Sequence, residues 1–154
     1  MKILFVDAGN YCRSPAAEAV CRAAAVAAGL AGRVAFASAG LKDKHAGDAA
    51  DPRTIAACAA RGYDLGAFRC REITPADYAS SELILAMDRD NLSALEARRP
   101  PGNRSRIELF LGDREVPDPY FGEADGFEVM MDQIEAGARR LLTTLGVADE
   151  GTQP

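Results

Sequence analysis

Short apolar runs alternate along the chain with longer alanine-rich or amphipathic segments. The apolar runs predict strands over residues 2–6, 33–38, 82–87 and 107–111. The segments between and after them predict helices over residues 15–28, 52–61, 88–98 and 127–145. Strands separated by helices favour a parallel sheet that is covered on both faces. We therefore expect a single three-layer α/β domain with a four-stranded parallel sheet.

The polar segment between the first strand and the first helix is the first candidate for chemistry. Ser14 is expected to cap this helix, with Pro15 at its first position and Gly29 just beyond its end. In such sheets ligands bind beyond the carboxyl ends of the strands. Backbone N–H groups and the helix dipole favour an anion there. The layout therefore suits a bound phosphate.

Three residues of this segment fit an anion-binding loop. Gly9 lets the backbone approach a ligand, and Asn10 tolerates the left-handed conformation of a tight turn. Arg13 offers a planar fork that can bind two phosphate oxygens. An ordinary strand, turn and helix with a solvated arginine explains this segment equally well when it is taken alone.

A second polar segment lies far along the chain, where Asp118 stands between two prolines and just before Tyr120 and Phe121. The prolines restrict the backbone on both sides, which suits an aspartate that must be held in place as a proton donor. The competing interpretation is a surface turn, because Asp-Pro is a common turn dipeptide.

Composition narrows the class of protein. The 154 residues carry a net charge of −5, which argues against nucleic acid or an anionic membrane as the main partner. No apolar run is long enough for a signal peptide or a membrane span. The four cysteines show no metal-like pairing, so we expect reduced thiols in a cytoplasmic protein. The predicted domain covers residues 1–147, and residues 148–154 are expected to form a flexible tail.

Together the two polar segments resemble the low-molecular-weight protein tyrosine phosphatases. That family opens with Cys-x-Gly-Asn-x-Cys-Arg-Ser-Pro after its first strand, and this chain has Asp-Ala-Gly-Asn-Tyr-Cys-Arg-Ser-Pro at residues 7–15. The late Asp-Pro-Tyr motif matches residues 118–120. The segments "SAG" (38–40), "ADPR" (50–53), "RGYDL" (61–65) and "LILAMDRDNL" (83–92) also look like the family.

The resemblance implies a phosphatase that works through a phosphocysteine and needs no metal or organic cofactor. Arg13 would clamp the phosphoryl oxygens, Asp118 would protonate the leaving phenolate, and Ser14 would stabilise the nucleophile. The implied phosphate-binding residues are Ala8, Gly9, Asn10, Tyr11, Cys12, Arg13 and Ser14. The implied partners are a phosphotyrosine-containing protein or peptide and inorganic phosphate or a similar oxyanion.

Asp7 departs from the family pattern, because it stands where the family has its nucleophilic cysteine. A carboxylate forms an acyl-phosphate in other phosphatases, but those enzymes normally offset the charge with a metal, and no metal site is readable in this sequence. We expect the loop to keep Asp7 ionised, paired with Arg13 and in competition with phosphate. Little or no turnover is therefore predicted.

Three accounts of Asp7 are open from the sequence, and we order them by how well they fit the rest of the site. An engineered replacement of the nucleophile comes first, because Asn10, Arg13, Ser14 and Asp118 are all kept. A natural relative that binds or regulates without catalysis comes second. An enzyme with an aspartate nucleophile comes last.

Smaller departures concern the substrate. Ala8 and Lys44 stand where relatives often have bulky walls, and Lys44 either attracts acidic residues beside a phosphotyrosine or is solvated. His45 is expected near the rim. Tyr11 replaces the usual aliphatic residue, and protein-arginine phosphatases have threonine there, so phosphotyrosine and another phosphorylated residue are both open as substrates. The expected substrate walls are Lys44, His45, Tyr120 and Phe121.

The cysteines argue against one further relative. Arsenate reductases share this fold and loop but pass a disulfide along additional cysteines, and Cys58 and Cys70 do not stand where that pair is expected. Cys12 can form a protective disulfide with the family's nucleophile, an option that Asp7 removes. Cys21 and Cys58 lie in alanine-rich segments and are expected to face the core.

Overall fold

The computed structural model describes residues 1–123 and 125–147, so the predicted tail at 148–154 lies outside the described residues. The strands are β1 (Lys2–Asp7), β2 (Ala35–Gly40), β3 (Leu83–Ala86) and β4 (Arg106–Leu109). The helices are α1 (Arg13–Ala27), α2 (Pro52–Ala59), α3 (Pro75–Ser80), α4 (Arg89–Ala97) and α5 (Asp125–Leu142). An irregular helical turn, Thr143–Val147, follows α5 and contains Gly146 at φ 117°.

The four strands form one parallel sheet in the order β2-β1-β3-β4. Alternate residues of β1 face two separate cores, since successive side chains of a strand point to opposite faces. Ile3 and Phe5 pack with α1, α2 and α5, while Leu4 and Val6 pack with α3 and α4. The prediction of a four-stranded parallel sheet with helices on both faces is confirmed.

Several predicted boundaries are wrong. Helix α1 begins at Arg13, with Cys12 at the N-cap and no side-chain cap, so Ser14 is inside the helix. Strand β2 covers residues 35–40 rather than 33–38, so Ala39 and Gly40 also belong to the sheet. Helix α3 was not predicted, because six residues are too short to show a helical period.

The face of α5 that packs on α1 and the sheet is largely as predicted, with one exception. Val129 fits the apolar period of the helix predicted at residues 127–145, but 49% of its surface is exposed. Cys21 and Cys58 face the core as expected, and all four cysteines are free and buried. A search of the described helices finds none that is long and apolar enough to cross a membrane.

Candidate active site

The loop between β1 and α1 closes around the side chain of Asp7, which is 3% exposed. Its Oδ1 accepts hydrogen bonds from Asn10 N at 2.6 Å and from Ser14 Oγ at 2.9 Å. Its Oδ2 accepts from Arg13 N at 3.1 Å and from Ser14 N at 2.9 Å. Both carboxylate oxygens are thus held by donors from the loop and the first turn of α1. The side chain fills the innermost part of the anion cradle.

Burial is the strongest influence on the charge of Asp7, and it raises the pKa of the carboxyl above its usual value. Arg13 and the donors from Ser14 and Asn10 act in the opposite direction. The loop donors do favour the ionised form of Asp7, as expected. The expectation did not include the desolvation of the carboxylate, which is the larger effect and favours the neutral form. The predicted Asp7–Arg13 pairing is also wrong: the two residues meet through the backbone N–H of Arg13, not through its guanidinium.

Asn10 gives the loop its shape. Its φ is 57°, the left-handed conformation predicted from the sequence. Its Nδ2 donates to Ser14 Oγ at 2.8 Å and to Ser38 Oγ at 3.1 Å, and its Oδ1 accepts from Arg71 N at 2.9 Å. Ser38 Oγ in turn donates to Glu18 Oε1 at 2.7 Å. One buried amide therefore ties the loop to α1, to β2 and to the segment that precedes α3.

Gly40, at the end of β2, allows the loop to lie against the sheet. A Cβ atom at this position would stand 2.7 Å from Gly9 C and 2.8 Å from Asn10 N, distances that real Cβ atoms essentially never show. Any side chain here would displace the backbone of the cradle.

The Arg13 guanidinium is buried and held from the opposite side of the pocket. Its Nη1 donates to Asp88 Oδ2 at 2.7 Å and to Val116 O at 2.9 Å. Its Nη2 lies 3.6 Å from Asp118 Oδ2. Asp88 also caps α4 by accepting from Asn91 N, so its carboxylate is fixed in place. The clamp predicted from the sequence is thus oriented by a residue that the sequence analysis missed.

Several donors around the pocket have no partner. Arg13 Nε is buried without a hydrogen bond. Within the described chain, four backbone amides of the loop also donate to no other group: those of Ala8, Gly9, Tyr11 and Cys12. Buried donors without partners are costly, and together with the helix N-terminus they suit an oxyanion. The cradle can therefore take a further anion beside Asp7.

The pocket above the cradle is a cavity of about 280 Å³ with aromatic walls. The Tyr11 and His45 rings are stacked, with centroids 3.7 Å apart and planes at 5°. Tyr120 lies 6.0 Å from Tyr11, and Phe121 stands edge-on to Tyr120 at 4.6 Å. The predicted site residues that line this cavity are Asp7, Ala8, Gly9, Tyr11, Cys12, Arg13, Lys44, His45, Asp118, Tyr120 and Phe121.

Asp118 stands at the rim of this cavity rather than inside it. Its side chain is 45% exposed, and its Oδ1 accepts from Tyr120 N at 3.0 Å. The turn expected from Asp-Pro is present, and it coexists with the position beside Arg13. The surface turn is therefore present, and the role of Asp118 as a proton donor stays a prediction.

Cys12 borders the pocket but is a poor nucleophile. Burial raises the pKa of its thiol to about 12, and the neighbouring carboxylates Asp51 and Asp7 act in the same direction. Its Sγ lies 3.7 Å from Asp51 Oδ2, while Asp51 caps α2 and binds Arg53. A neutral thiol at neutral pH cannot replace the missing thiolate.

Sequence reasoning missed four residues that support the site: Ser38, Lys42, Asp51 and Asp88. Asp88 had a readable signal, because it directly follows a buried strand and so lies at the same edge of the sheet as Asp7. Ser38 and Asp51 lie in the segments "SAG" and "ADPR", which pointed to the family but not to roles. Within the described residues, no group of three or more His, Cys, Asp or Glu side chains is arranged to hold a metal ion.

Comparison with known proteins gives one consistent result. Residues 2–150 match the model of the low molecular weight phosphotyrosine protein phosphatases. A Synechocystis protein named as a low molecular weight protein-tyrosine-phosphatase is 42% identical, over 95% of this chain and 97% of its own length. The crystal structure of a protein tyrosine phosphatase from Entamoeba histolytica superposes with a TM-score of 0.89 at 34% identity, covering 99% of both chains.

A Drosophila arginine phosphatase is similar to the same extent, with a TM-score of 0.87 at 32% identity over 94% of this chain and 98% of its own. The family model, the relatives and the solved structures therefore indicate the same family over nearly the whole sequence. The chain belongs to the low molecular weight phosphotyrosine protein phosphatase family.

Proposed function

We propose that this chain binds phosphorylated aromatic side chains in the pocket and has little or no hydrolytic turnover. The observation that carries the proposal is the position of the Asp7 carboxylate, which accepts four hydrogen bonds where the family motif has its nucleophile. A cytoplasmic location and a phosphoprotein partner remain predictions from the sequence.

Binding is supported by the donors that Asp7 leaves free. Arg13 Nε and the amides of Ala8, Gly9, Tyr11 and Cys12 face no partner within the described chain. A phosphate monoester presents three oxygens that can accept from such donors. The aromatic walls of the cavity suit an aryl group attached to that phosphate.

Loss of turnover follows from the same contacts. To attack phosphorus, Asp7 would have to give up hydrogen bonds on the attacking oxygen, because each oxygen already accepts two. When Asp7 is ionised, its charge also opposes the approach of a phosphate dianion, because the Arg13 guanidinium is bonded to Asp88 and not to Asp7. These arguments put an aspartate-dependent phosphatase last among the three accounts.

The experiment is aryl-phosphate hydrolysis by this chain, by Asp7→Cys and by the double variant Asp7→Cys/Asp118→Asn. In Asp7→Cys the thiolate would attack phosphorus, the P–O bond to the aryl group would break, and Asp118 would give its proton to the leaving phenolate. Water would then hydrolyse the phosphocysteine. We expect Asp7→Cys to exceed this chain in kcat on the order of 10⁶-fold, the scale of the loss when a catalytic nucleophile is removed.

The double variant should lose most of that gain on phenyl phosphates with poor leaving groups and little on those with good ones.

Phosphotyrosine and phosphoarginine peptides compared on Asp7→Cys decide the substrate class, a question that Tyr11 and the arginine phosphatase relative raise. Equal, undetectable turnover by this chain and Asp7→Cys would contradict a complete cysteine-phosphatase site. Comparable turnover by both would contradict the proposed inactivity.

A binding measurement tests the other half of the proposal. Asp7→Ala removes the inner carboxylate and should bind inorganic phosphate more tightly than this chain in calorimetric titration, because both the repulsion and the competition for donors are lost. Equal or weaker binding by Asp7→Ala would show that Asp7 does not fill the cradle.

A further inference from the structure

We infer that Lys42 and Lys44 select substrates that carry an acidic side chain next to the phosphorylated residue. The inference rests on the proposed binding of a phosphorylated aromatic side chain, and it names the chemistry of the neighbours that such a substrate needs. Both lysines line the pocket that Arg13 and Asp118 share.

The two lysines differ from the other cations of the chain. Lys2, Lys42 and Lys44 are the only lysines in the sequence, and Lys2 lies on β1, where its Nζ donates to Ser80 Oγ at 3.2 Å. Lys42 and Lys44 form no hydrogen bond or ion pair through their side chains with any described residue. Arg61, in contrast, holds three carboxylates of α5. The charge of the two pocket lysines is therefore available to a ligand.

The backbone places both lysines toward the pocket. Lys42 N donates to Ala8 O at 2.9 Å, which fixes this segment beside the phosphate loop. Lys44 Nζ lies 5.9 Å from the centroid of the Tyr120 ring, on the Asp118 side of the mouth. Asp43, between them, does not line the cavity. The alternation gives the rim two positive charges and turns the intervening negative charge away.

Both lysines belong to the lining of the pocket that a phosphorylated side chain would enter. With the phosphate at the cradle and the ring between the aromatic walls, the side chains before and after the phosphorylated residue lie at this rim. The chain as a whole carries −5, so its long-range field repels an acidic peptide. A preference for acidic neighbours must therefore come from local contact, and the two lysines are the groups placed to make it.

Asp118 is the carboxylate that lies beside the lysines at the mouth of the pocket, and its Oδ2 lies 3.6 Å from Arg13 Nη2. His45 Nδ1 lies 3.7 Å from Asp48 Oδ2 on the outer side of the same segment. An exposed ion pair typically changes affinity by a few-fold, so two lysines together are expected to contribute about five- to tenfold. Salt should reduce this preference, because exposed charges are screened.

The test uses fluorescein-labelled phosphotyrosine peptides that differ only in having Glu or Gln on both sides of the phosphotyrosine. Binding is measured by fluorescence anisotropy on the full chain with Asp7→Ala, so that the inner carboxylate does not mask the cradle. Phenyl phosphate, used as an unlabelled competitor, reports the cradle alone. The variants are Lys42→Met/Lys44→Met and, as the control for charge, Lys2→Met.

We expect the Glu peptide to bind about five- to tenfold more tightly than the Gln peptide at low salt. In Lys42→Met/Lys44→Met the two peptides should bind within twofold of each other, while Lys2→Met keeps the full preference. A loss of phenyl phosphate affinity in the double variant lowers both peptides alike, so the ratio of the two peptides is the readout. A preference that survives loss of both lysines, or that falls equally in Lys2→Met, overturns the inference.

The failures of the two proposals are distinguishable. If phenyl phosphate competes but Glu and Gln peptides bind equally, the inference about Lys42 and Lys44 is overturned and the proposed function stands. If phenyl phosphate does not bind even with Asp7→Ala, the proposed function fails and the inference fails with it.

Discussion

Two loops form the pocket, and they are held in very different ways. In the loop at residues 8–12 no residue is fully exposed. Ser14 Oγ donates to Asp7 and accepts from the Asn10 side chain, and the backbone N–H of Asn10 donates to Asp7. In the segment 112–123 most residues are exposed, and only Val116 and Pro119 are buried. The first loop is built into the core, whereas the second lies on the surface.

The attachments of the second segment are correspondingly few. Val116 O accepts from Arg13, and Tyr120 O accepts from Arg53 Nη1 at 3.1 Å. Arg53 also lies over the Tyr120 ring at 5.3 Å. Earlier in the segment, Val116 N also donates to Met87 O at 2.8 Å. The difference indicates that the phosphate side of the pocket is preorganised, while the exposed residues after Val116 are held by Arg13, by Arg53 and by ring contacts of Tyr120.

The largest expected effect comes from breaking the rigid loop at Asn10. Asn10→Ala removes three side-chain hydrogen bonds and places a residue with a Cβ but no polar group at φ 57°. The free energy of unfolding should fall by about 2–4 kcal/mol in urea titrations. Asn10→Gly, which tolerates the positive φ, should be about 1 kcal/mol less destabilised.

Asn103→Ala is the matched control. The Asn103 amide also forms hydrogen bonds through both its oxygen and its nitrogen, but it lies just before β4, at the amino ends of the strands. It should lower stability while sulfate binding, measured by calorimetry, stays as before. Retained sulfate affinity in Asn10→Ala at temperatures where it is folded would contradict the preorganised loop.

The second prediction concerns how anion binding at the rigid loop changes with pH. Burial raises the pKa of Asp7, so as the pH falls through this raised value the carboxyl gains a proton and its repulsion of an oxyanion is lost. Sulfate, which stays a dianion throughout, should therefore bind more tightly in mildly acidic solution, where Asp7 is protonated, than at pH 8.

Asp7→Ala should bind sulfate tightly across this range, with a much flatter profile. The rest of the pocket lining is the same in both proteins, so a difference between their pH profiles reports Asp7. Parallel pH profiles for the two proteins would exclude Asp7 as the titrating group.

The smallest effect concerns the exposed segment. Arg53→Met removes the hydrogen bond to Tyr120 O and the ring contact, and amide exchange at Tyr120 and Gly122 should become about three- to tenfold faster. The amides of Asn10 and Ser14 should exchange as before. Arg69→Met is the control, because Arg69 bonds only neighbouring carbonyls. Faster exchange in both loops would mean that they move as one unit.

Much of the architecture was predictable because it depends on local pattern. Short apolar runs such as residues 83–86 are buried on both faces, and a helix of eight or more residues lies between each strand and the next, so a parallel sheet follows. The loop after β1 was readable because Gly9, Asn10 and Arg13 each have a physical use beside an anion. The left-handed Asn10 was the most specific of these predictions, and it is correct.

What the sequence could not show depends on contacts between distant segments. Ser14 looked like a helix cap, but its hydroxyl donates to Asp7. The helix begins at Arg13, two residues before the predicted start. Arg13 looked like a partner for Asp7, but the nearest carboxylate to its fork is Asp88, 75 residues away. Burial of Asp7, which sets the direction of its pKa shift, is likewise a product of the fold.

The burial of every cysteine has a practical consequence for chemical labelling. Cys12, Cys21, Cys58 and Cys70 are all free and buried, and burial raises the pKa of each of these thiols. In Asp7→Cys the new thiol would instead sit where four donors favour a thiolate, at the base of an open pocket. A mild electrophile should therefore attach to that one position, which gives the protein a single addressable site for a dye, a spin label or an affinity tag.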